Sequence, residues 1–508
     1  MIVCKPLIAA AAALGFLIAP QVSASAASTP AAADCTSAGD ADFNGDGFDD
    51  AVIADPAATV NDQNRAGQVH VLYGGSGGQV GEGGAREVLR QGMPGVGGTV
   101  GAADNFGLTL LVGRVNEDAC ADLVVGVPHE DLPSAPDAGI VHVTFGSPSG
   151  LGHEADPIVL SQGTSSIPGS VESYDRFGSS LALGPDGATL AIGVPAEDIG
   201  SLQDAGLVNL VWVSGNAPSH GISISQNTVG VPGSAEPGDY FGSSVAIGKV
   251  RGQAGLPDLI AGAPREAIGS LNEAGAVTVI NDVVPDKTSF TAVAITQDSS
   301  GVPGAAEAGD SFGSSLAYGT SGSTARLAVG AEREDVGSII DAGVVQLFSS
   351  TGTSLNPGAA ISQNTAGIIG SAEKADRFGF ALAMASQSVT GGGLQLIVGI
   401  PYEDVGNLGD AGAVQVLTVT NPAADAAYDQ NSTGVAGTPE PNDHFGWSVT
   451  AAGGTSEGAM LIGVPHDGQN TTGLVNVIPV GGAGRFWKPG VGGIATTGAV
   501  LFGYTCAG

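Results

Sequence analysis

Positive charge is scarce in this chain. Sixteen Lys and Arg stand against 50 Asp and Glu, for a formal net charge of −34. Such a surface repels nucleic-acid phosphates and anionic membranes, so no nucleic-acid partner is expected; it attracts metal cations and basic partners. Cysteine is rare as well. The four Cys and seven His form no zinc-ligand spacing and no H-E-x-x-H, and no phosphate-cradling loop occurs. No long helical periodicity runs through the chain. Beyond the first residues no segment is apolar for a full membrane span, so no membrane insertion is expected. What is abundant is glycine, 83 residues, with 43% hydrophobic and only 13% charged residues. That balance supplies a core and argues against disorder, and it points to strands joined by tight turns.

The first 26 residues have the layout of a secretory signal. Lys5 supplies a positive start, Leu7 to Ile18 an apolar run, and Ala24-Ser25-Ala26 a small-residue cleavage site. Residues 27–38 form an Ala-rich linker. The expected location is therefore secreted and extracellular. Asp34 immediately before Cys35 speaks against a lipoprotein site, which needs a small residue there.

Residues 39–508 repeat. Phe-Gly recurs at Phe106, Phe177, Phe241, Phe312, Phe378 and Phe445, 64 to 71 residues apart. Each copy opens a short strand-like run, as in "DRFGSSLALG". A second run follows, ending in a corner such as "DLIAGAP"; a third follows, such as "GLVNLVWV"; and a fourth carries a recurring Gln, as in "ISISQN". Four short β-branched runs per repeat, separated by Gly, Pro and Asp turns, predict a four-stranded antiparallel sheet. Sheets of this size arranged about an axis are propeller blades. The first repeat lacks its Phe-Gly run, and the missing piece stands at the far end in "VLFGYTCAG". The expected fold is all-β: a seven-bladed propeller whose first blade is completed by the C-terminal strand, closing the ring and leaving fewer exposed edges.

Phe-Gly, the corner that reads literally Gly262-Ala263-Pro264, and an Asp-rich loop together resemble the FG-GAP repeats of the integrin α-subunit propeller. The resemblance covers nearly all of the chain after the linker, and the chain looks similar to secreted bacterial integrin-like repeat proteins. It implies the fold strongly and the function loosely.

In that family the loop ahead of the second strand is a calcium site. Asp42, Asn44, Asp46 and Asp50 of "DADFNGDGFDD" match its oxygen positions, with the carbonyl of Phe48 as a further ligand. The chemistry agrees, because calcium takes six to eight hard oxygens and alternate residues in a tight loop can aim them inward. An EF-hand is excluded, since the twelfth position from Asp42 is Ile53, not Glu. A metal-free Asx turn is the alternative. The second repeat keeps Asn116, Asp118 and Asp122 but carries Arg114 in place of the first acid, and the fourth has Lys249 and Arg251 in its loop. One calcium ion, in blade 1, is the expectation.

Acids recur elsewhere. Glu197-Asp198, Glu334-Asp335 and Glu403-Asp404 follow the corner, and Asp175, Asp239, Asp310, Asp376 and Asp443 precede Phe-Gly. Up-and-down topology places both sets on one face, opposite the calcium loop. They either bind cations or a basic partner there, or cap backbone N–H groups in the turns.

Two strings, Gly74 to Gly78 and Gly454 to Gly458, satisfy G-x-S-x-G, but neither precedes a helical pattern as a nucleophile elbow requires. No residue is assigned to catalysis. The functional expectation is a monomeric extracellular binding or adhesion module whose partner is an extracellular protein or glycan. The competing reading is an extracellular esterase- or glycosidase-like hydrolase with its site on one propeller face. Losing the signal leaves Cys35, Cys120 and Cys506 in an oxidising compartment. Cys35–Cys120 would bridge neighbouring blades, with Cys506 free or paired to another chain; Cys35–Cys506 would instead join the chain ends.

Overall fold

The computed structural model describes Cys35, Gly39 and residues 41–508, apart from 77–78, 117, 254, 386–392, 453–457, 469–471 and 480–483. Residues 1–26, expected to be a signal, and nearly all of the stretch 27–38, expected to be a linker, lie outside the described residues. Twenty-eight strands form seven four-stranded antiparallel sheets, and no helix occurs among the described residues. The innermost strands of successive sheets neighbour one another all the way round, so the sheets form a closed ring of blades.

Blade 1 is assembled from both chain ends. Its second, third and outer strands are Ala51–Asp55, Gln68–Leu72 and Arg86–Leu89. Its inner strand is Thr505–Ala507, with Val52 opposite Ala507 and Ala54 opposite Thr505. In the other six blades, four consecutive strands run outward from the axis.

The period-2 alternation expected of a half-exposed strand is lost in the second strands. "AVIAD", "DLVVGV" and "TLAIGV" are buried at every residue. Each blade is packed on both faces, so neither set of side chains meets water. The hydrophobic clusters accordingly lie between blades: Val52, Val69 and Val71 of blade 1 meet Leu123, Val125 and Val127 of blade 2. The seven Phe-Gly phenyls, Phe502 included, are fully buried.

Two backbone devices repeat at the junctions. The Phe N–H donates to a carbonyl of the preceding blade, as in Phe241 to Ala205 at 3.0 Å and Phe502 to Thr472 at 3.2 Å. Two residues after the Gly of Phe-Gly, a hydroxyl donates to the next blade's Phe-Gly glycine carbonyl: Thr109 to Gly178, Ser180 to Gly242, Ser244 to Gly313, Ser315 to Gly379 and Ser448 to Gly503. Thr505 closes the series on Leu108, and blade 6 has Ala381 in this place. The corner glycine is required by this contact: a Cβ on Gly126 would lie 2.0 Å from Thr109 Oγ1 and 2.3 Å from the Gly178 carbonyl.

Candidate metal centre and the opposite rim

In blade 1 the Asp-rich loop does not connect two strands. It leads the chain into Ala51–Asp55, while the inner strand arrives from residue 505. The lead-in is held by a disulfide between Cys35 and Cys120, Cα atoms 5.3 Å apart, which ties it to the equivalent loop of blade 2. Gly45 (φ 68°) permits the close approach, since a Cβ there would lie 2.9 Å from Cys35 Sγ. Cys506 is free and buried, which removes both its pairing with Cys35 and access from another chain.

Within the loop, Asp42 accepts N–H bonds from Gly45 (2.7 Å), Asp46 (3.2 Å) and Gly47 (2.8 Å). Asn44 Oδ1 accepts from Asp46 N, and Asp46 Oδ1 from Phe48 N. Asp50 is fully buried and accepts from Phe43 N at 2.8 Å and Gly74 N at 2.7 Å. These are the bonds of nested Asx turns, and among the described residues no three His, Cys, Asp or Glu side chains converge as a ready-made cage.

Asp50 has a role independent of any ion. Asp122 bonds Val115, Asn116 and Gly146 N–H in blade 2, and Asp258 bonds Val250, Arg251, Gly252 and Asp282 N–H in blade 4. The last acid of the loop pins the turn to the end of the third strand whether or not the other ligand positions survive. The donor set that is particular to blade 1 is Asp42, Asn44, Asp46 and the Phe48 carbonyl. Burial raises Asp42 above the usual carboxylate range, and it pushes Asp50 up to about 8, with the charges of Asp42 and Asp46 adding to the rise. Three acids opposing one another in this way suit a divalent cation, which would reverse the sign of their interaction.

On the opposite face the two acid sets share a rim, as up-and-down topology requires, and most of them act as caps. Asp175, Asp239, Asp376 and Asp443 accept the N–H three residues earlier, at 2.5–2.8 Å. Asp198, Asp335 and Asp404 accept the N–H six residues later, at 2.9–3.0 Å.

The recurring Gln explains the remaining acids. Gln91, Gln162, Gln226 and Gln363 each donate Nε2 to a Glu of the next blade, Glu130, Glu197, Glu266 and Glu403, at 2.6 Å. Gln297 does the same to Glu334, and Gln430 bonds Asp467 at 2.9 Å. Each Glu also faces the Asp of its own blade. Burial raises the Glu carboxyls to about 7 or 8, and the neighbouring Asp pushes in the same direction. Each Glu–Asp pair therefore tends to retain one proton near neutrality, so the clasp between blades carries one negative charge rather than two. Blade 1 has Ala58 in the Glu position and lacks a clasp. The Gln repeats were visible in sequence, but their partners lie 35 to 40 residues away.

Of the two G-x-S-x-G strings, Gly74-Gly75-Ser76 lies between the strands Gln68–Leu72 and Arg86–Leu89, with no helix after it. Residues 454–457 of the other are outside the described residues.

Residues 36–72, which take in the Asp-rich loop and the two middle strands of blade 1, match the family model of the FG-GAP repeat. The chain carries an FG-GAP repeat in blade 1 of a seven-bladed propeller. No curated protein matches it. The matched FG-GAP stretch is the one that carries the full set of loop oxygens; the remaining six blades repeat the same strand order and junction bonds with partial or absent ligand sets.

Proposed function

We propose that this FG-GAP propeller is a secreted, calcium-binding module that holds an extracellular protein or glycan on one face of a rigid ring. The observation carrying the calcium part is the blade 1 loop, where Asp42, Asn44 and Asp46 alternate along a turn and burial and the Asp46 charge raise Asp42. Asp42, Asn44, Asp46 and the Phe48 carbonyl would hold the ion, which would neutralise the loop and brace the blade built from two chain ends. The disulfide supports export, since such bonds persist in oxidising compartments. Binding rather than catalysis fits a molecule whose acids are engaged in caps and clasps.

The test is calorimetric titration of chelator-treated protein with calcium, beside thermal melts with and without chelator. One site and a melting temperature that rises with calcium are expected, because a ligand bound only by the folded state stabilises it. Heat-silent titration and superimposable melts would remove calcium from the proposal.

A further inference from the structure

The residue after each Phe-Gly makes one repeated backbone turn, and in four blades (Ser179, Ser243, Trp447 and Tyr504) it lines the axial channel; the fold leaves its identity free. In all seven blades it makes the same backbone turn, its N–H donating to the carbonyl three residues earlier at 3.0–3.2 Å: Leu108 to Asn105, Ser179 to Arg176, Ser243 to Tyr240, Ser314 to Ser311, Phe380 to Arg377, Trp447 to His444 and Tyr504 to Leu501. Three blades fill the place with serine. Three others, blades 6, 7 and 1, are consecutive around the ring and fill it with aromatics.

Those rings form one continuous surface. Phe380 and Trp447 have centroids 5.0 Å apart, and Trp447 and Tyr504 5.4 Å. Tyr402 extends it beside Phe380 at 5.9 Å, and His466 flanks Trp447 at 5.8 Å. All are partly exposed, in a chain with only 5% aromatic residues. Blade packing does not call for them, since Ser179, Ser243 and Ser314 make the same turn without a ring.

The channel below the crescent encloses about 590 Å³, within the range of small-ligand sites. Trp447 and Tyr504 stand on one side of its mouth and the hydroxyl-bearing Ser179 and Ser243 on the other. Among the described residues no Asp, Glu, Lys, Arg or His side chain lines it, although the chain as a whole carries −34. Inside the channel a charged ligand would find no side-chain counter-charge; the crescent carries a cation, Arg377, stacked on Tyr402 at its outer end. A neutral sugar ring suits both sides: its C–H face lies on an aromatic plane and its hydroxyls reach polar groups around the edge.

We infer that the aromatic crescent of Phe380, Trp447 and Tyr504 is a binding site for neutral saccharides. The inference rests on the binding-module reading and assigns that module a ligand class and a place. Trp447 and Tyr504 act as stacking platforms, and the serine side of the mouth receives hydroxyls.

The experiment uses the full mature chain and three probe sets: neutral gluco- and N-acetylglucosamine hexasaccharides, uronate oligosaccharides, and basic peptides. Trp212 and Trp487 are buried, so quenching of tryptophan fluorescence by acrylamide reports chiefly on Trp447. A neutral hexasaccharide should protect that fluorescence and bind in calorimetry. Trp447→Ser and Tyr504→Ser, which install the residue that three other blades carry at this turn, should keep the wild-type melting temperature and bind at least tenfold more weakly. Undiminished saccharide binding by Trp447→Ser overturns the site. Binding of only uronates or basic peptides, lost in Trp447→Ser, overturns the ligand class and leaves the binding module standing. No binding by any probe overturns the inference; the calcium titration judges the wider reading separately.

Discussion

Gln363 of blade 5 donates its side-chain amide to Glu403 of blade 6 at 2.6 Å, and Asp376 faces the same Glu from its own blade. The contact is one of five Gln–Glu pairs around the ring, and it binds neighbours through a carboxyl that burial keeps protonated.

The clasps give an unusual pH dependence. Burial lifts Glu403 from its ordinary 4.5 to about 8, and Asp376, Glu373 and Asp404 push the same way. A carboxyl whose folded pKa is raised contributes stability that is complete below the unfolded value and lost as pH rises through the folded value. The melting temperature should therefore fall by several degrees between pH 6 and pH 9. Glu403→Gln, which keeps the shape without the charge, should make that fall shallower. A melting temperature that climbs with pH, or a Glu403→Gln slope equal to wild type, would contradict the clasp.

Asp46 and Asp50 should separate on mutation. Asp50→Ala leaves two buried N–H groups, of Phe43 and Gly74, without their acceptor, at about 1–3 kcal/mol each. It should destabilise the protein equally in calcium and in chelator. Asp46→Ala should weaken calcium binding and leave the melt in chelator almost unchanged. Identical behaviour of the two variants in chelator would refute the division of roles.

Reducing the Cys35–Cys120 bond releases a constraint between residues 85 apart in sequence. Chain-entropy arguments put its contribution at about 4–5 kcal/mol, an upper figure for a bond beside a chain end. Reductant should lower the wild-type melt and have no effect on Cys120→Ser. Equal sensitivity of both proteins would show that the bond does not brace the blade.

The last ten residues look dispensable but carry the ring closure. Thr505–Ala507 pairs with Val52–Ala54, Thr505 bonds the Leu108 carbonyl of blade 2, and Ser448 of blade 7 bonds Gly503. Deleting residues 499–508 should cause aggregation or loss of cooperative unfolding. Phe502→Ala should cost about 3–5 kcal/mol, because its ring is fully buried. A truncated chain that stays monomeric and melts like the full-length protein would disprove the closure.

The sequence by itself determined the repeat, the blade count, the split of blade 1 and the oxygen pattern of its loop. Each of these is written in local spacing: Phe-Gly at 64 to 71 residues, β-branched runs between glycines, acids at alternate positions. Strand and turn formation answer to such neighbours along the chain, so those features are legible without a fold. The tertiary structure decided which of the three remaining cysteines pair, and it decided that Asp50 pins a turn in common with Asp122 and Asp258. It also decided that burial, with Asp376 beside it, keeps a proton on Glu403, and that residues 380, 447 and 504 make one surface. These depend on burial and on contact between blades far apart in sequence. A carboxyl's pKa follows the water it loses, and a crescent that runs from blade 7 into blade 1 exists only once the ring is closed.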